Sequence, residues 1–235
     1  MPGKLYLIPN TISDTGDFDV IPKYIALIVE PLRYFIVEEE KSARRFLKKI
    51  NLAVKFEQFY FFLLNEHTSA KETQEYLKIL LDKDIGLISE SGCPCVADPG
   101  ANIVLWAHQN NKEVVPLVGP SSIMLALMAS GLGGQNFSFN GYLPKESAER
   151  IKKIKNLEAR SALEGQTQIF MEAPYRNQSI FEDILLACQG ETLLSIACDL
   201  TSLEQYIKTL PIKMWKKENP PINKRPALFL IQRRS

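Results

Sequence analysis

Three turns in the sequence combine small residues, prolines and polar side chains, and each follows a short apolar run. They span residues 89–100 (SESGCPCVADPG), 118–122 (VGPSS) and 170–176 (FMEAPYR). Glycine lets a ligand approach the backbone closely, and serine hydroxyls can bond the backbone or a carboxylate. Because ligands of open α/β sheets bind at the carboxyl ends of strands, the three turns indicate a site for a small molecule.

Several familiar catalytic patterns are absent from the sequence. The glycines follow neither GxGxxG nor GxxxxGK[ST], and there is no GxSxG. The four cysteines form no CxxC pair, and the only histidines are His67 and His108. These observations argue against a nicotinamide site, a P-loop and a hydrolase triad, and they leave a zinc site without suitable ligand spacing. We therefore expect no metal, and we expect reduced cysteine thiols.

The composition is that of a folded, water-soluble chain. Of the 235 residues, 46% are apolar and 23% are charged, and the net charge is +1. A disordered chain has fewer apolar residues or a larger net charge. No apolar run approaches the roughly 20 residues that span a bilayer, and the N-terminus lacks the features of a secretory signal. We expect a cytoplasmic protein with no membrane partner.

Basic residues are concentrated in two places despite the small net charge. Residues 211–235 contain seven Lys or Arg residues against Glu218 alone, and residues 150–155 read RIKKIK. Such runs form either a solvated face or a surface that contacts phosphates.

The first half of the chain alternates apolar runs with helical patterns. Helices are expected over residues 42–50 and 70–81, and a further helix is expected to start with Asp98 as its cap and Pro99 in its first turn. The expected strands are 5–8, 34–37, 59–64, 85–89 and 114–118. This alternation favours a mainly parallel sheet with helices on both faces, and we assign residues 1–132 to an N-terminal α/β domain.

The second half has a different order of elements. Helical patterns cover residues 145–163 and 176–188. The expected strands are 137–142, 167–171, 193–198, 204–210 and 227–232. Because the last three follow one another closely, they favour antiparallel pairing within a mixed sheet. We assign residues 133–235 to this C-terminal domain, so that the fold class is two-domain α/β.

Short motifs along nearly the whole chain resemble those of one known family. The matching residues of this chain, each followed in parentheses by the family's motif, are 5–9 with Gly16 and Asp17 (LYxVPTPIGNLGD), 37–41 (AEDTR), 65–67 (HEH), 89–100 (SDAGTPGISDPG), 118–122 (PGPSA), 129–132 (ASGL), 139–144 (FxGFLP), 170–176 (FYESPHR) and 199–201 (ELTK). Their order resembles the tetrapyrrole (corrin/porphyrin) methylase family of S-adenosylmethionine-dependent methyltransferases. The likeness is greatest to the ribosomal RNA small subunit methyltransferase I type, which methylates a cytidine 2′-hydroxyl.

The resemblance implies two α/β domains with S-adenosylmethionine in the cleft between them, usually in a homodimer. It assigns cofactor contacts to Pro9, Ser91, Gly92, Cys93, Pro94, Val96, Asp98, Ser121, Ser122, Glu172, Pro174, Leu200 and Thr201. The methyl donor carries its own reactivity, so the protein needs chiefly to position the reactants and to exclude water.

A ribose 2′-hydroxyl is a poor nucleophile, so a general base or an orienting acceptor would help. By matching position the candidates are Glu38, Glu39 and His67. Substrate contacts fall by the same reasoning on Lys41, Arg44 and Arg176. The competing interpretation is structural, since acidic residues before a helix favour its N-terminal dipole and a lone histidine is often a structural residue.

The departures from the family motifs concern mainly the expected substrate side. Residues 37–41 read VEEEK, without the threonine and with lysine in place of arginine, and Asn65 replaces the first histidine of HEH. The cofactor loop carries Cys95 where the family has glycine. Ribosomal RNA or the 30S ribosomal subunit remains the favoured partner because of the basic stretches. The alternatives are methylation of a small, tetrapyrrole-like molecule and a binder without turnover.

Overall fold

The computed structural model describes residues 3–13, 20–50, 56–65 and 67–233, and the chain forms two compact units, Met1–Ser121 and Ser122–Ser235. The expected boundary after residue 132 assigns the helix at 122–130 to the first domain. In the structure the apolar side chains of this helix, Ile123, Ala126 and Leu127, pack on the second sheet. The division therefore precedes the helix.

The first unit is built on a parallel sheet of five strands in the order β3-β2-β4-β1-β5. The strands are β1 (Leu5–Ile8), β2 (Tyr34–Val37), β3 (Tyr60–Leu63), β4 (Ile85–Ile88) and β5 (Val114–Pro116). The helices are α1 (Tyr24–Val29), α2 (Glu40–Lys49), α3 (Ala70–Ile79) and α4 (Ala101–Gln109), with a 3-10 turn at Phe56–Gln58. Each strand pairs in parallel with its neighbours, which confirms the prediction.

Helices cover both faces of this sheet, as expected for parallel strands that are apolar on both sides. On β4, Ile88 packs with α1 and α2 on one face, whereas Ile85 and Leu87 pack with α3 and α4 on the other. The same alternation holds on β2, where Phe35 and Ile36 enter opposite cores. The sheet is thereby fixed in register, since a shift by one residue would exchange the two faces.

The second unit contains a mixed sheet in the order β6-β7-β10-β8-β9. The strands are β6 (Phe137–Tyr142), β7 (Thr167–Glu172), β8 (Leu193–Cys198), β9 (Tyr206–Pro211) and β10 (Ala227–Gln232). The helices are α5 (Ser122–Ser130), α6 (Ser147–Glu164), α7 (Asn177–Ala187) and α8 (Ile212–Trp215), with a 3-10 turn at Pro174–Arg176. Only β6 and β7 pair in parallel, so the predicted antiparallel pairs are confirmed.

Each face of the mixed sheet has its own core. Phe170 and Phe229 stack on the face that α6, α7 and α8 cover. Ile169 and Leu228 point to the other face, where they pack with α5. The sheet is therefore buried on both sides although most of its pairs are antiparallel.

Helix α4 starts later than the sequence predicts. Its N-cap is Gly100, with φ of +131°, and the first helical residue is Ala101. Asp98 and Pro99 therefore belong to the preceding loop, in which Cys95 and Ala97 have left-handed backbone angles of +69° and +66°. The prediction that Asp98 caps the helix is wrong because the chain makes further turns before it can enter helical geometry.

The basic cluster at residues 150–155 is not a continuous charged face. Arg150 is 2% exposed, and its Nε donates to Asp183 Oδ2 at 2.6 Å. Its remaining nitrogens donate to Ser179 Oγ and to the carbonyl oxygens of Pro144 and Lys145. Arg150 thus joins α6 to α7 in the interior, and only the lysines of this cluster are exposed.

Replacement of Arg150 by methionine should destabilise the protein by about 3 kcal/mol, because Asp183 would keep a buried charge without its cationic partner. Urea denaturation followed by circular dichroism measures this loss. Lys152→Met, on the exposed side of the same helix, is the matched control and should change the free energy of unfolding by less than about 0.5 kcal/mol. Equal losses in the two variants would contradict a special role for the buried pair.

Candidate functional site

The carboxyl ends of the parallel strands lie at one edge of the first sheet, where four loops carry predicted site residues. Pro9 follows β1, Glu38 follows β2, His67 lies beyond β3, and residues 89–100 follow β4. This edge is where α/β sheets bind ligands. The parallel topology therefore gathers residues that are distant in the sequence.

The loop after β4 is fastened to the loop after β1 by Asn10, a residue that the sequence motifs did not single out. Asn10 is 5% exposed, and its Nδ2 donates to the carbonyl oxygens of Ser89 and Glu90 at 3.1 and 3.0 Å. Its backbone N–H donates to Gly92 O at 2.8 Å. The bonds fix the backbone on either side of Ser91.

Two glycines allow this edge to close tightly. Gly92 has a left-handed φ of +65°. A Cβ on Gly119 would lie 2.1 Å from Pro9 Cβ, so only glycine fits between the loops after β1 and β5. Cys93 Sγ donates to Pro120 O at 3.4 Å. Of the predicted cofactor residues, Pro9, Gly92 and Cys93 are thus held together in the first unit.

Carboxyl groups of adjacent loops interact at this edge. Glu38 Oε2 accepts from the Glu90 N–H at 2.8 Å, while burial and the negative Glu90 side chain raise the pKa of Glu38. Burial is also the main reason why the pKa of Asp98 rises to about 6, and the charge of Glu38 adds to it. A hydrogen bond from Ser89 partly offsets the rise. Glu38 is therefore a stronger proton acceptor than an ordinary glutamate.

Asn65 links two of the catalytic candidates. Its Nδ2 donates to Glu38 O at 3.3 Å, and its Oδ1 accepts from the His67 N–H at 3.0 Å. The amide therefore connects the chain after β2 to the exposed His67. The intervening Glu66, and Gly16 and Asp17 of the first motif, lie outside the described residues.

Glu39 has a structural position. It is the N-cap of α2, and its carboxylate accepts from the backbone N–H groups of Lys41 and Ser42 at 2.8 and 2.6 Å. Arg44 donates to Glu40 at 2.8 Å and lies over the Phe61 ring. The Lys41 side chain is exposed. The structural interpretation thus accounts for Glu39, and the substrate contacts of Lys41 and Arg44 stay predictions.

In the second unit, Glu172 ends β7 with a fully buried carboxylate. Its Oε1 accepts from the Ala173 N–H at 2.7 Å and from the Arg176 guanidinium. Its Oε2 and the Nε of Arg176 have no hydrogen-bond partner among the described residues. A buried acceptor without a partner is costly, so this carboxylate is suited to a ligand that donates hydrogen bonds.

The loop after β8 has an unusual backbone. Asp199 and Thr201 have positive φ angles of +46° and +69° on either side of the buried Leu200. Arg225 Nε donates to Asp199 Oδ2 at 2.5 Å, and the Thr201 N–H donates to Gln205 Oε1 at 3.0 Å. Strained backbone held by specific bonds is common at functional sites.

The remaining predicted cofactor residues are distributed over these loops. Ser91, Pro94, Val96 and Asp98 lie between β4 and α4. Ser121 ends the first unit and Ser122 begins α5. Pro174 belongs to the 3-10 turn after β7, together with Arg176, which was predicted to contact the substrate. The contacts of these residues with a ligand stay predictions.

Within the described ranges, no helix is long and apolar enough to cross a membrane. The same residues contain no group of three or more His, Cys, Asp or Glu side chains that could hold a metal ion.

Comparison with known proteins gives relatives along nearly the whole chain. The chain is 31% identical to a ribosomal RNA small subunit methyltransferase I of Vibrio cholerae over 231 residues, which cover 97% of this chain and 76% of that protein. It is 26% identical to the protein of the same name from Escherichia coli O157:H7, covering 98% and 78% of the two chains. No family model matches the chain.

Solved structures show the fold. The methyltransferase CobJ superposes with a TM-score of 0.61 at 15% identity, covering 98% of this chain and 92% of that one. The uroporphyrin-III-C-methyltransferase from Thermus thermophilus gives a TM-score of 0.54 at 14% identity, with the same coverage. These similarities confirm the expected two-domain fold of tetrapyrrole methyltransferases.

Asp98→Asn should stabilise the protein more at about pH 8 than at about pH 4.5. The folded-state pKa of about 6 lies above the ordinary value of 3.8, so the native state binds this proton more strongly than the unfolded state does. Stability from this group therefore falls as the pH rises towards 6, and asparagine removes the penalty. Denaturant titrations at both pH values measure the difference, with the exposed Asp82→Asn as the control. A benefit independent of pH would contradict the shifted pKa.

Proposed function

This chain belongs to the ribosomal RNA small subunit methyltransferase I family, and we propose that it transfers a methyl group from S-adenosylmethionine to a ribose 2′-hydroxyl of small-subunit ribosomal RNA. The observation that carries the proposal is the 31% identity to the Vibrio cholerae relative over 97% of the chain. That match extends through the loops of both units in which the candidate residues lie. The chain is therefore a methyltransferase, and the RNA substrate and the methylated atom are the proposed parts.

The candidate residues suit S-adenosylmethionine in both units. In the first unit, Gly92 and Gly119 keep the backbone free of side chains where the loops meet. In the second unit, the unpartnered Oε2 of Glu172 can accept from an amine or a ribose hydroxyl. The residues that would hold the cofactor are the set that the motifs assign to cofactor contacts, of which Pro9 is the first and Thr201 the last. When bound, the cofactor supplies an electrophilic methyl group on a positively charged sulfur.

Glu38 is the residue that we assign to the proton of the 2′-hydroxyl. Burial raises the pKa of its carboxyl, and the Glu90 N–H fixes one of its oxygens at 2.8 Å. Asn65 holds its backbone from the neighbouring loop. A raised pKa brings a carboxylate closer to the value at which a general base works best at neutral pH.

The remaining parts of the proposal concern partners and location. Ribosomal RNA or the 30S subunit is the substrate, contacted through Lys41 and Arg44. Arg176, which pairs with Glu172, has a smaller part because its guanidinium is already engaged. The homodimer implied by the resemblance and the cytoplasmic location expected from the composition belong to the same proposal. Sedimentation of the purified protein tests the homodimer.

The affinity for S-adenosylmethionine should rise as the pH increases through about 6. Above this value the Asp98 carboxyl is ionised and attracts the sulfonium, whereas below it the group is neutral. Calorimetric titrations at about pH 5 and pH 8 measure the two dissociation constants. S-adenosylhomocysteine has no sulfonium charge and is the control ligand, so its affinity should change less. An equal pH effect on both ligands would contradict an electrostatic contribution of Asp98 to cofactor binding.

Methyl transfer is tested with tritiated S-adenosylmethionine and three acceptors, namely 30S subunits, ribosomal RNA that lacks the modification, and a tetrapyrrole. We expect label on RNA at a ribose 2′-oxygen, mapped by nuclease digestion. Glu38→Gln should lower kcat by about 100-fold while cofactor affinity stays unchanged, because proton acceptance is lost and binding is not. Glu39→Gln is the matched control and should leave kcat unchanged, since this side chain caps α2.

Two results would overturn the proposal. Label on the tetrapyrrole alone would indicate a small-molecule enzyme. Cofactor binding without label on any acceptor would indicate a binder without turnover.

A further inference from the structure

A polar groove in the second unit lies between the start of α7 and the segment that precedes β10. It is lined by Gln178, Asn219, Pro220, Pro221, Asn223 and Arg225. The three amide side chains of this set are exposed, and the guanidinium is half-buried. The groove lies outside the residues that the motifs assign to the cofactor.

The wall of the groove is fixed to the loop after β7. Asn177 is fully buried, and its Nδ2 donates to Ile222 O at 3.0 Å and to Arg225 O at 2.5 Å. The Lys224 N–H donates to Pro174 O at 3.1 Å. These bonds join the groove to the turn that contains Pro174, which the proposed function assigns to the cofactor.

Arg225 presents a planar cation that is held in place. Its Nε donates to Asp199 Oδ2 at 2.5 Å, its Nη1 to Pro221 O at 2.7 Å and its Nη2 to Glu204 O at 2.5 Å. All three guanidinium nitrogens are engaged in hydrogen bonds, while 22% of the side chain is exposed. A guanidinium fixed in this way can stack a base on its face without losing rotamer entropy.

Exposed lysines are close in the sequence to the lining residues of the groove: Lys216 and Lys217 precede Asn219, and Lys224 lies between Asn223 and Arg225. In the C-terminal segment, Lys208 pairs with Glu218 and Lys213 with Glu191. Lys216, Lys217 and Lys224 are exposed, and none of them has an ion pair among the described residues. Their charges are thus available to an anionic partner.

We propose that this groove binds single-stranded nucleotides of the RNA substrate. Bases stack on the Arg225 guanidinium and on Pro221, the amides of Gln178 and Asn223 bond base edges, and the three lysines contact phosphates. Sequence-specific RNA recognition uses unstacked bases in this manner, because side chains cannot read the deep groove of an RNA duplex. The inference rests on the proposed function for the identity of the substrate as RNA.

Fluorescence anisotropy with a labelled single-stranded RNA of about 12 nucleotides and mixed sequence tests the lysines directly, without methyl transfer. The triple variant Lys216→Gln, Lys217→Gln, Lys224→Gln should lower the slope of log affinity against log salt by about 2, at about 0.7 for each phosphate that is no longer neutralised. The variant Lys152→Gln, Lys153→Gln, Lys155→Gln on α6 removes the same charge and is the control. Equal changes in both variants would overturn the groove as the binding surface.

The amides have a separate test. Gln178→Ala with Asn223→Ala should weaken binding of the single-stranded RNA about fivefold and leave the salt slope unchanged, since the base edges lose hydrogen bonds while the lysines still neutralise phosphates. The exposed amides Gln58→Ala with Gln74→Ala are the control pair. Both double variants should bind a duplex RNA of equal length with the same affinity as the unaltered protein. Unchanged affinity of the groove variant for single strands would contradict base recognition there.

Failure of this inference and failure of the proposed function give different results. If ribosomal RNA is methylated and the groove variants bind RNA normally, the groove inference is wrong and the proposed function stands. If those variants bind RNA more weakly and no RNA is labelled, the proposed methyl transfer is wrong and the inference that the groove binds RNA is supported.

Discussion

Parallel pairing of the first five strands is the constraint on which the rest of the site depends. Parallel neighbours need a crossover between them, so each strand ends at the same edge. Glu38 and Asn65 therefore meet although they lie 27 positions apart. The buried Asn10 then fixes the loops of β1 and β4 to each other. Asn10, Glu38 and Asn65 form hydrogen bonds with backbone atoms at this edge. Their positions therefore do not depend on the rotamers of exposed side chains.

The sequence was sufficient for most of the fold because apolar runs define strands. The runs at Tyr34–Val37 and Leu193–Cys198 have the predicted bounds. The start of α4 could not be predicted, since Gly100 takes a backbone angle that an isolated Asp-Pro-Gly sequence does not reveal. The burial of Arg150 depends on Asp183, which is 33 positions away. Such partners become visible only when the helices are packed.

The site was predictable to a different degree. Motif order located the loops, and the structure separates residues that the motifs treat alike: Glu39 caps α2, whereas the carboxylate of the adjacent Glu38 bonds the loop after β4. The roles of Asn10 and Asn65 escaped prediction because each side chain donates to backbone carbonyl oxygens of another loop, and a backbone group has no signature in the sequence. The polar groove was also missed, because its lining residues come from segments that lie far apart in the sequence.

The two thiols of the loop after β4 have a chemical consequence. Burial raises the pKa of Cys93, and burial together with the charge of Asp98 raises the pKa of Cys95. The thiolate is the form that reacts with peroxides and alkylating agents, so both cysteines remain in their unreactive form at neutral pH. The charge of Asp98, which lowers the stability of the folded chain, thus adds to the effect of burial in keeping Cys95 in its thiol form.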